Sequence, residues 1–313
     1  MTRLSDTALS SDPAWPERLF AQLPAGVRGL VQASLSRGML PSALVAQIAA
    51  DAGMGLEQVM IALLPVAAAH AQTPISGFAV GAVALGLPRA GGPGNLYLGA
   101  NLEIAGQVLC LTIHAEQSAV NAAWLHGEQG IAALAVDSPP CGLCRQFLRE
   151  LPEYGMVKLI TGQDGGTKAA RGLGPLLPEA FGPSELGVQG RLMAAEDHGF
   201  TIDTADPLVL AALAACNASY APYTGAYAGV ALRLPDGSIH AGRYAENAAY
   251  NPSLLAIQSA LAGLRMRRGP DQPAVVADAV LVERSPAPTS QLQATRLILE
   301  SLGVTSGLRY FAL

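Results

Sequence analysis

The stretch PISGFAVGA, residues 74–82, returns as PYTGAYAGV at residues 222–230, a constant offset of 148 that keeps the proline, Gly77 with Gly225, and Gly81 with Gly229 in register. Working outward, NLE at 101–103 aligns with YAE at 244–246. Allowing a small gap, HAEQSA at 114–119 falls on LAIQSA at 255–260, and DSPPCGLC at 137–144 on RSPAPTSQ at 284–291. Self-similarity on this scale means one structural unit used twice. The alanines and the glutamine persist in the second copy, whereas the histidine, the glutamate and both cysteines have become other residues. Two copies of one domain are expected, and only the first keeps metal-binding chemistry.

The texture around these matches is that of an α/β domain. GFAVGAVALGL, NLYLGANLEI and IAALAVDS read as short strands, alternating with helices that begin at HAE and at CGLCRQFLREL. Such alternation implies a sheet with helices packed on it. Before it, WPERLFAQL, PSALVAQIAADAG and MGLEQVMIALLP carry apolar residues at spacings of three and four between Pro and Gly breaks, which predicts a small helical segment. Residues 161–190, rich in Gly and Pro, read as a connector, and DPLVLAALAACNASY as a helix that opens the second copy. The expected division is a helical N-terminal segment over 1–65, a metal-binding domain over 66–185 and a metal-free repeat over 186–313.

Composition narrows the function. The 313 residues are 50% hydrophobic and 14% charged, as in a packed globular protein. The net charge is −5, and RMRR at 265–268 is the longest basic cluster, so no nucleic-acid partner is expected. No apolar run reaches the length of a membrane span, and the N-terminus lacks the order of a signal peptide. The chain is therefore read as cytoplasmic, with no membrane partner. Four cysteines are too few for a disulfide scaffold at this length, and a C-x-x-C pair in a reducing compartment points to metal or redox chemistry.

His114, Cys141 and Cys144 offer three zinc ligands, and a catalytic zinc site uses three protein ligands and leaves a fourth position for water. Cys141 and Cys144 lie about one helical turn apart at a strand-to-helix turn, so both sulfurs can face one point. Glu116, two residues after His114, would reach past the metal and act as general base and then general acid. H-A-E followed by P-C-x-x-C is the signature of zinc deaminases. His70, His126, His198 and His240 have no such surroundings and read as structural or surface residues. Cys110 reads as a core position and Cys216 as buried in its helix.

HAEQSAVNAAWL with PCGLCRQFLREL, supported by SGFAVGA, GANLE, LPEAFGP, DHGF and YAENAAYNP, resembles the cytidine deaminases of the long type, homodimers with a catalytic and a zinc-less domain in each chain. The resemblance implies two three-layer α/β/α domains, each a mixed sheet flanked by helices, and one zinc per chain on His114, Cys141 and Cys144. It implies that Glu116 shuttles protons and bonds the ring at N3, that Phe78 lies against the pyrimidine, and that Asn101 and Glu103 hold the ribose 3′-hydroxyl. Ala115 joins the substrate contacts. Ala249 and Tyr250 would close the neighbouring subunit's site. Two positions depart from the pattern: Ser138-Pro139 stands where the family often has Tyr-Thr, and Tyr250 where Phe is common.

The expected reaction is hydrolytic deamination of cytidine and 2′-deoxycytidine to uridine and 2′-deoxyuridine with release of ammonia, a step of pyrimidine salvage. Two alternatives stand beside it: a deaminase of another aminated base or nucleoside, and an inactive zinc-stabilised binding protein.

Overall fold

A computed structural model describes residues 25–34, 38–89, 92–163, 166–268, 275–304 and 307–313. The helix expected over WPERLFAQL lies outside the described residues. Helices α1 (Ala25–Ser34), α2 (Ser42–Ala52), α3 (Leu56–Ala62) and α4 (Leu64–Ala68), with the short strand β1 (Met39–Leu40), precede the first copy's β2 (Gly81–Gly86) and β3 (Leu96–Ala100). There follow α5 (Ala115–Leu125), β4 (Ile131–Val136), α6 (Gly142–Leu148), β5 (Lys158–Gln163) and β6 (Gly166–Gly172). The second copy comprises α7 (Pro207–Asn217), β7 (Ala228–Arg233), β8 (Ile239–Arg243), α8 (Ala256–Arg267), β9 (Asp278–Glu283), α9 (Leu292–Ser301) and β10 (Leu308–Ala312).

The first sheet runs β1-β3-β2-β4-β5-β6 and the second β8-β7-β9-β10. In both, the first hairpin pairs antiparallel, its leading strand pairs antiparallel with the next, and the following pair is parallel. The repeat in the sequence is thus a repeat of topology, and both sheets are mixed. Each is covered on both faces. Val83, Leu96 and Leu98 face the core under α2, α3 and α4, while Ala82, Ala84 and Tyr97 face α5. In the second copy Ala231 and Val280 pack under α7, and Val230 and Leu281 face the core shared with α8. The stretch expected as a connector begins within β5 and contains all of β6, which forms an antiparallel ladder with β5 from Lys158 opposite Gly172 to Gln163 opposite Gly166. The chain carries no strand or helix from 177 to 206.

Two glycine pairs set how closely helix and sheet approach. A Cβ at Gly99 would sit 2.2 Å from the Ala119 nitrogen and 2.5 Å from the Ala115 oxygen; at Gly242 it would sit 2.0 Å and 2.5 Å from the matching atoms of Ala260 and Ala256. These are backbone atoms, so α5 cannot yield without moving as a body. Gly99→Ala is therefore expected to destabilise the protein by roughly 1–3 kcal/mol, the range for overpacking a filled core, and to reduce activity by displacing the helix that carries Glu116. Urea unfolding with a parallel rate assay checks this, and an unchanged midpoint would refute the contact. Similarly Gly81 admits α4, with Leu64 O at 2.2 Å, as Gly229 admits α7, with Cys216 N at 2.2 Å.

The copies face one another through α5 and α8, and the bonds between them are reciprocal. Gln117 Nε2 donates to Pro252 O at 3.0 Å, and its counterpart Gln258 Nε2 donates to Leu111 O at 2.8 Å. Asn121 Nδ2 donates to Ser259 O at 3.0 Å, and Ser259 Oγ donates to Asn121 Oδ1 at 2.6 Å. Arg243 lies 4.1 Å over the Trp124 ring and donates to the Trp124 carbonyl. One apolar core runs through both copies around this seam. Among the described residues no single helix is long and apolar enough to cross a membrane.

Candidate active site

The site is built where two helices begin. His114 is the N-cap residue of α5 in extended conformation, φ −84° and ψ 155°, and its backbone N–H donates to Gln117 Oε1 at 3.1 Å. Cys141 is the N-cap residue of α6, and Cys144 sits one turn into that helix. A buried α5, its alanines packed on β3 and β2, fixes the position of His114; β4 leads into α6.

His114 Nδ1 lies 3.6 Å from Cys141 Sγ and 3.3 Å from Cys144 Sγ, and the two sulfurs are 3.6 Å apart. Tetrahedral zinc with Zn–S near 2.3 Å and Zn–N near 2.0–2.1 Å calls for donor separations of about 3.5–3.8 Å. The three atoms fit that triangle, and they are the only His, Cys, Asp and Glu group of metal-ligating geometry among the described residues. The charge state fits as well. The Cys144 hydrogen bond, with further help from nearby backbone amides and His114, brings the Cys141 thiol down to about 5. Cys144 is pushed up by Cys141 and by burial. A divalent ion bound there would offset the negative charge of both thiolates.

Glu116 is 4% exposed, and burial pushes its carboxyl above the usual range, with its own backbone amide, His114 and Cys144 acting in the opposite direction. A buried carboxyl raised toward neutrality next to a metal triangle is suited to accept and return a proton. Ala115, between the two, is 1% exposed.

Asn101 and Glu103 organise the loop that carries Phe78. Asn101 Oδ1 accepts from Val80 N at 2.8 Å, and its Nδ2 donates to Phe78 O at 2.9 Å. Glu103 accepts from Ile75 N at 2.8 Å, Ser76 N at 3.0 Å and Ser76 Oγ at 2.5 Å. Burial pushes its carboxyl up, but these three bonds outweigh that and leave it below the usual range. Phe78 itself is 61% exposed. Ala249 and Tyr250 lie in the turn before α8; Tyr250 is 62% exposed and left-handed, φ 60°.

The second copy holds the matching helix ends together without metal. Gln291 stands at the position of Cys144, and its Oε1 accepts from Ala256 N, the first residue of α8, at 2.9 Å. Glu246, the counterpart of Glu103, accepts from Tyr223 N, Thr224 N and Thr224 Oγ1 in the same pattern.

Among the other histidines, His70 is buried and burial brings it down to about 4, while His126 bonds the Ala122 carbonyl at 2.7 Å. His198 stacks on Tyr227. Cys110 is exposed rather than in the core, because residues 109–111 form a single 3₁₀ turn on the surface; Cys216 is buried. Sequence reasoning overlooked Gln146 and Glu150, which join α6 to the second copy. No local pattern marks them; only their place just after C-x-x-C hinted at it.

Soft donors at two helix starts, with a buried carboxylate beside them, define the centre of a zinc hydrolase. Two family models, both described as cytidine and deoxycytidylate deaminase zinc-binding region, match residues 55–161 and 173–296. A cytidine deaminase of Serratia proteamaculans is 43% identical over 91% of this chain and 94% of its own. One of Shewanella loihica is 41% identical over 88% and 90%. A crystal structure of cytidine deaminase from Burkholderia pseudomallei is 30% identical, with a TM-score of 0.34, over 39% of this chain and 97% of that one. The chain belongs to the cytidine deaminase family.

Proposed function

We propose that this chain converts cytidine and 2′-deoxycytidine to uridine and 2′-deoxyuridine, releasing ammonia. The observation that carries it is the meeting of His114, Cys141 and Cys144 in a triangle of zinc dimensions beside buried Glu116.

Zinc held by these three residues supplies Lewis acidity that makes a water nucleophilic near neutral pH. Glu116 takes a proton from the attacking water and passes it to N3 of the pyrimidine as oxygen adds at C4. Glu116 then takes the proton of the new C4 hydroxyl and delivers it to the exocyclic nitrogen, so that the C4–N bond breaks as the C4 carbonyl forms, and ammonia leaves. Ala115 lines the base alongside Glu116, and the Phe78 ring covers the pyrimidine. Asn101 and Glu103, while shaping the Phe78 loop, present polar atoms to the ribose 3′-hydroxyl. A carboxylate there repels phosphate, so a 3′-phosphate or a polynucleotide is a poor substrate.

The exposure of the Phe78 and Tyr250 side chains on a single chain supports a homodimer in which Ala249 and Tyr250 of the second subunit close the site. The equivalence of α4 with α7 supports a first repeat that includes α3 and α4, so that the boundary falls before residue 66. The same reading places the enzyme in pyrimidine salvage in the cytoplasm.

Ultraviolet absorbance of zinc-loaded protein with cytidine, 2′-deoxycytidine, cytosine and 3′-CMP tests the reading. Loss of the cytidine band for the two nucleosides, with little change for cytosine and the nucleotide, is the expected result. A zinc-loaded protein that leaves both nucleosides intact refutes it.

A further inference from the structure

Glu150 lies just beyond α6, six residues after Cys144, and is fully buried, with 0% exposure. Its carboxylate is filled by neutral donors from the second copy. Tyr220 OH donates at 2.8 Å, Tyr223 OH lies 2.9 and 3.1 Å from the two oxygens, and Ala248 N donates at 2.9 Å. Burial holds this carboxyl above its usual range. A carboxylate placed so deep costs several kcal/mol unless its oxygens are bonded; a simple packing contact between domains has no need of one.

Every donor to Glu150 sits at one end of the second copy, and a second tie runs beside it. Asn247 Nδ2 donates to Gln146 O at 2.9 Å, Gln146 Nε2 lies 3.4 Å from Asn247 Oδ1, and Asn247 Oδ1 accepts from Ala249 N at 2.9 Å. Tyr250 N then donates to Asn247 O at 2.8 Å, closing the turn that holds Tyr250 in its left-handed conformation. Left-handed backbone costs a non-glycine residue about 1–2 kcal/mol, so the turn keeps its shape through these bonds. A run of hydrogen bonds through Asn247 thus joins the helix of Cys144 to the backbone of Tyr250, whose side chain is exposed.

We propose that Glu150 and Gln146 are positioning residues, through which the metal-bearing helix of one subunit aims Ala249 and Tyr250 into the pocket of the other. This rests on the reading that a dimer's sites are completed in trans. One residue thereby acts on the neighbour's substrate affinity while leaving its own subunit's metal site intact.

Mixed dimers of differently tagged chains test it, each with one live site. In the first, one chain carries Glu116→Ala and the other Glu150→Gln, so the live site is served by an unaltered loop. In the second, one chain carries both substitutions and the other is natural, so the live site is served by the altered loop. The expected result is a cytidine KM about tenfold higher in the second dimer, equivalent to ~1.4 kcal/mol of binding, with kcat within about twofold. The first dimer should match a reference dimer carrying Glu116→Ala alone in one chain, and all should hold one zinc per chain. Asn247→Ala in place of Glu150→Gln gives the same pattern and serves if the first variant does not fold.

A KM effect in the first dimer instead, an equal effect in both, or no effect in either overturns the proposal. Two controls on the natural protein separate its failure from that of the reading beneath it. An active single-chain particle by sedimentation sinks the trans-completed dimer and the proposal with it. A zinc-loaded dimer that leaves cytidine unchanged sinks the deaminase reading as well.

Discussion

Glu116→Ala is expected to leave zinc bound at one per chain and to lower cytidine turnover by roughly 100- to 10,000-fold, the range for removing a general acid–base group. The side chain is not among the three donors of the metal triangle, so its loss should not release the ion. It is the buried carboxyl against that triangle, and burial holds it above the usual carboxyl range. Substrate affinity should change far less than turnover, because the ribose and ring contacts assigned to Asn101, Glu103 and Phe78 remain. Zinc analysis with steady-state kinetics decides the matter. A variant that keeps more than about a tenth of the natural rate with zinc in place would remove Glu116 from the chemistry.

His114→Ala, or chelation of the natural protein, is expected to abolish both zinc content and turnover, and to loosen only one half of the molecule. Metal binding to a donor set of this kind contributes directly to folding free energy. In the first copy the triangle is what ties the start of α5 to the start of α6. In the second copy the bond from Ala256 N to Gln291 does that work without an ion. Hydrogen exchange should therefore quicken over 114–118 and 141–148 on metal removal, while 255–260 and 291–295 stay as protected as before. Equal loosening of both copies would show that the seam between α5 and α8 passes the loss on.

Much of this was legible in the chain itself. The offset of 148 between PISGFAVGA and PYTGAYAGV fixes two copies, and the replacement of His, Glu and both Cys in the second fixes which copy can hold metal. Ligand identities were readable because zinc chemistry admits few donor types, and because local spacing places Cys141 and Cys144 one turn apart. The helical character of MGLEQVMIALLP at 54–65 was visible, but its division into α3 and α4 and the role of α4 as the counterpart of α7 were not, since Gly81 and Gly229 reveal the equivalence only through the backbone atoms they admit. The β5–β6 hairpin was hidden for a different reason. Its second strand, GTKAARG, carries no apolar period and is paired through a backbone ladder with β5.

The sequence by itself determined the repeat and the His/Cys/Cys donor set, and singled out Glu116 as the acid–base candidate, because these depend on residue type and short spacing. Tertiary structure alone decided what Glu150 and Gln146 touch, how Gln291 stands in for the metal, and why Tyr250 is exposed. Those depend on contacts across 35 to 101 positions of chain, where hydrogen-bond geometry and burial are set by the packing of whole elements and leave no local pattern to read.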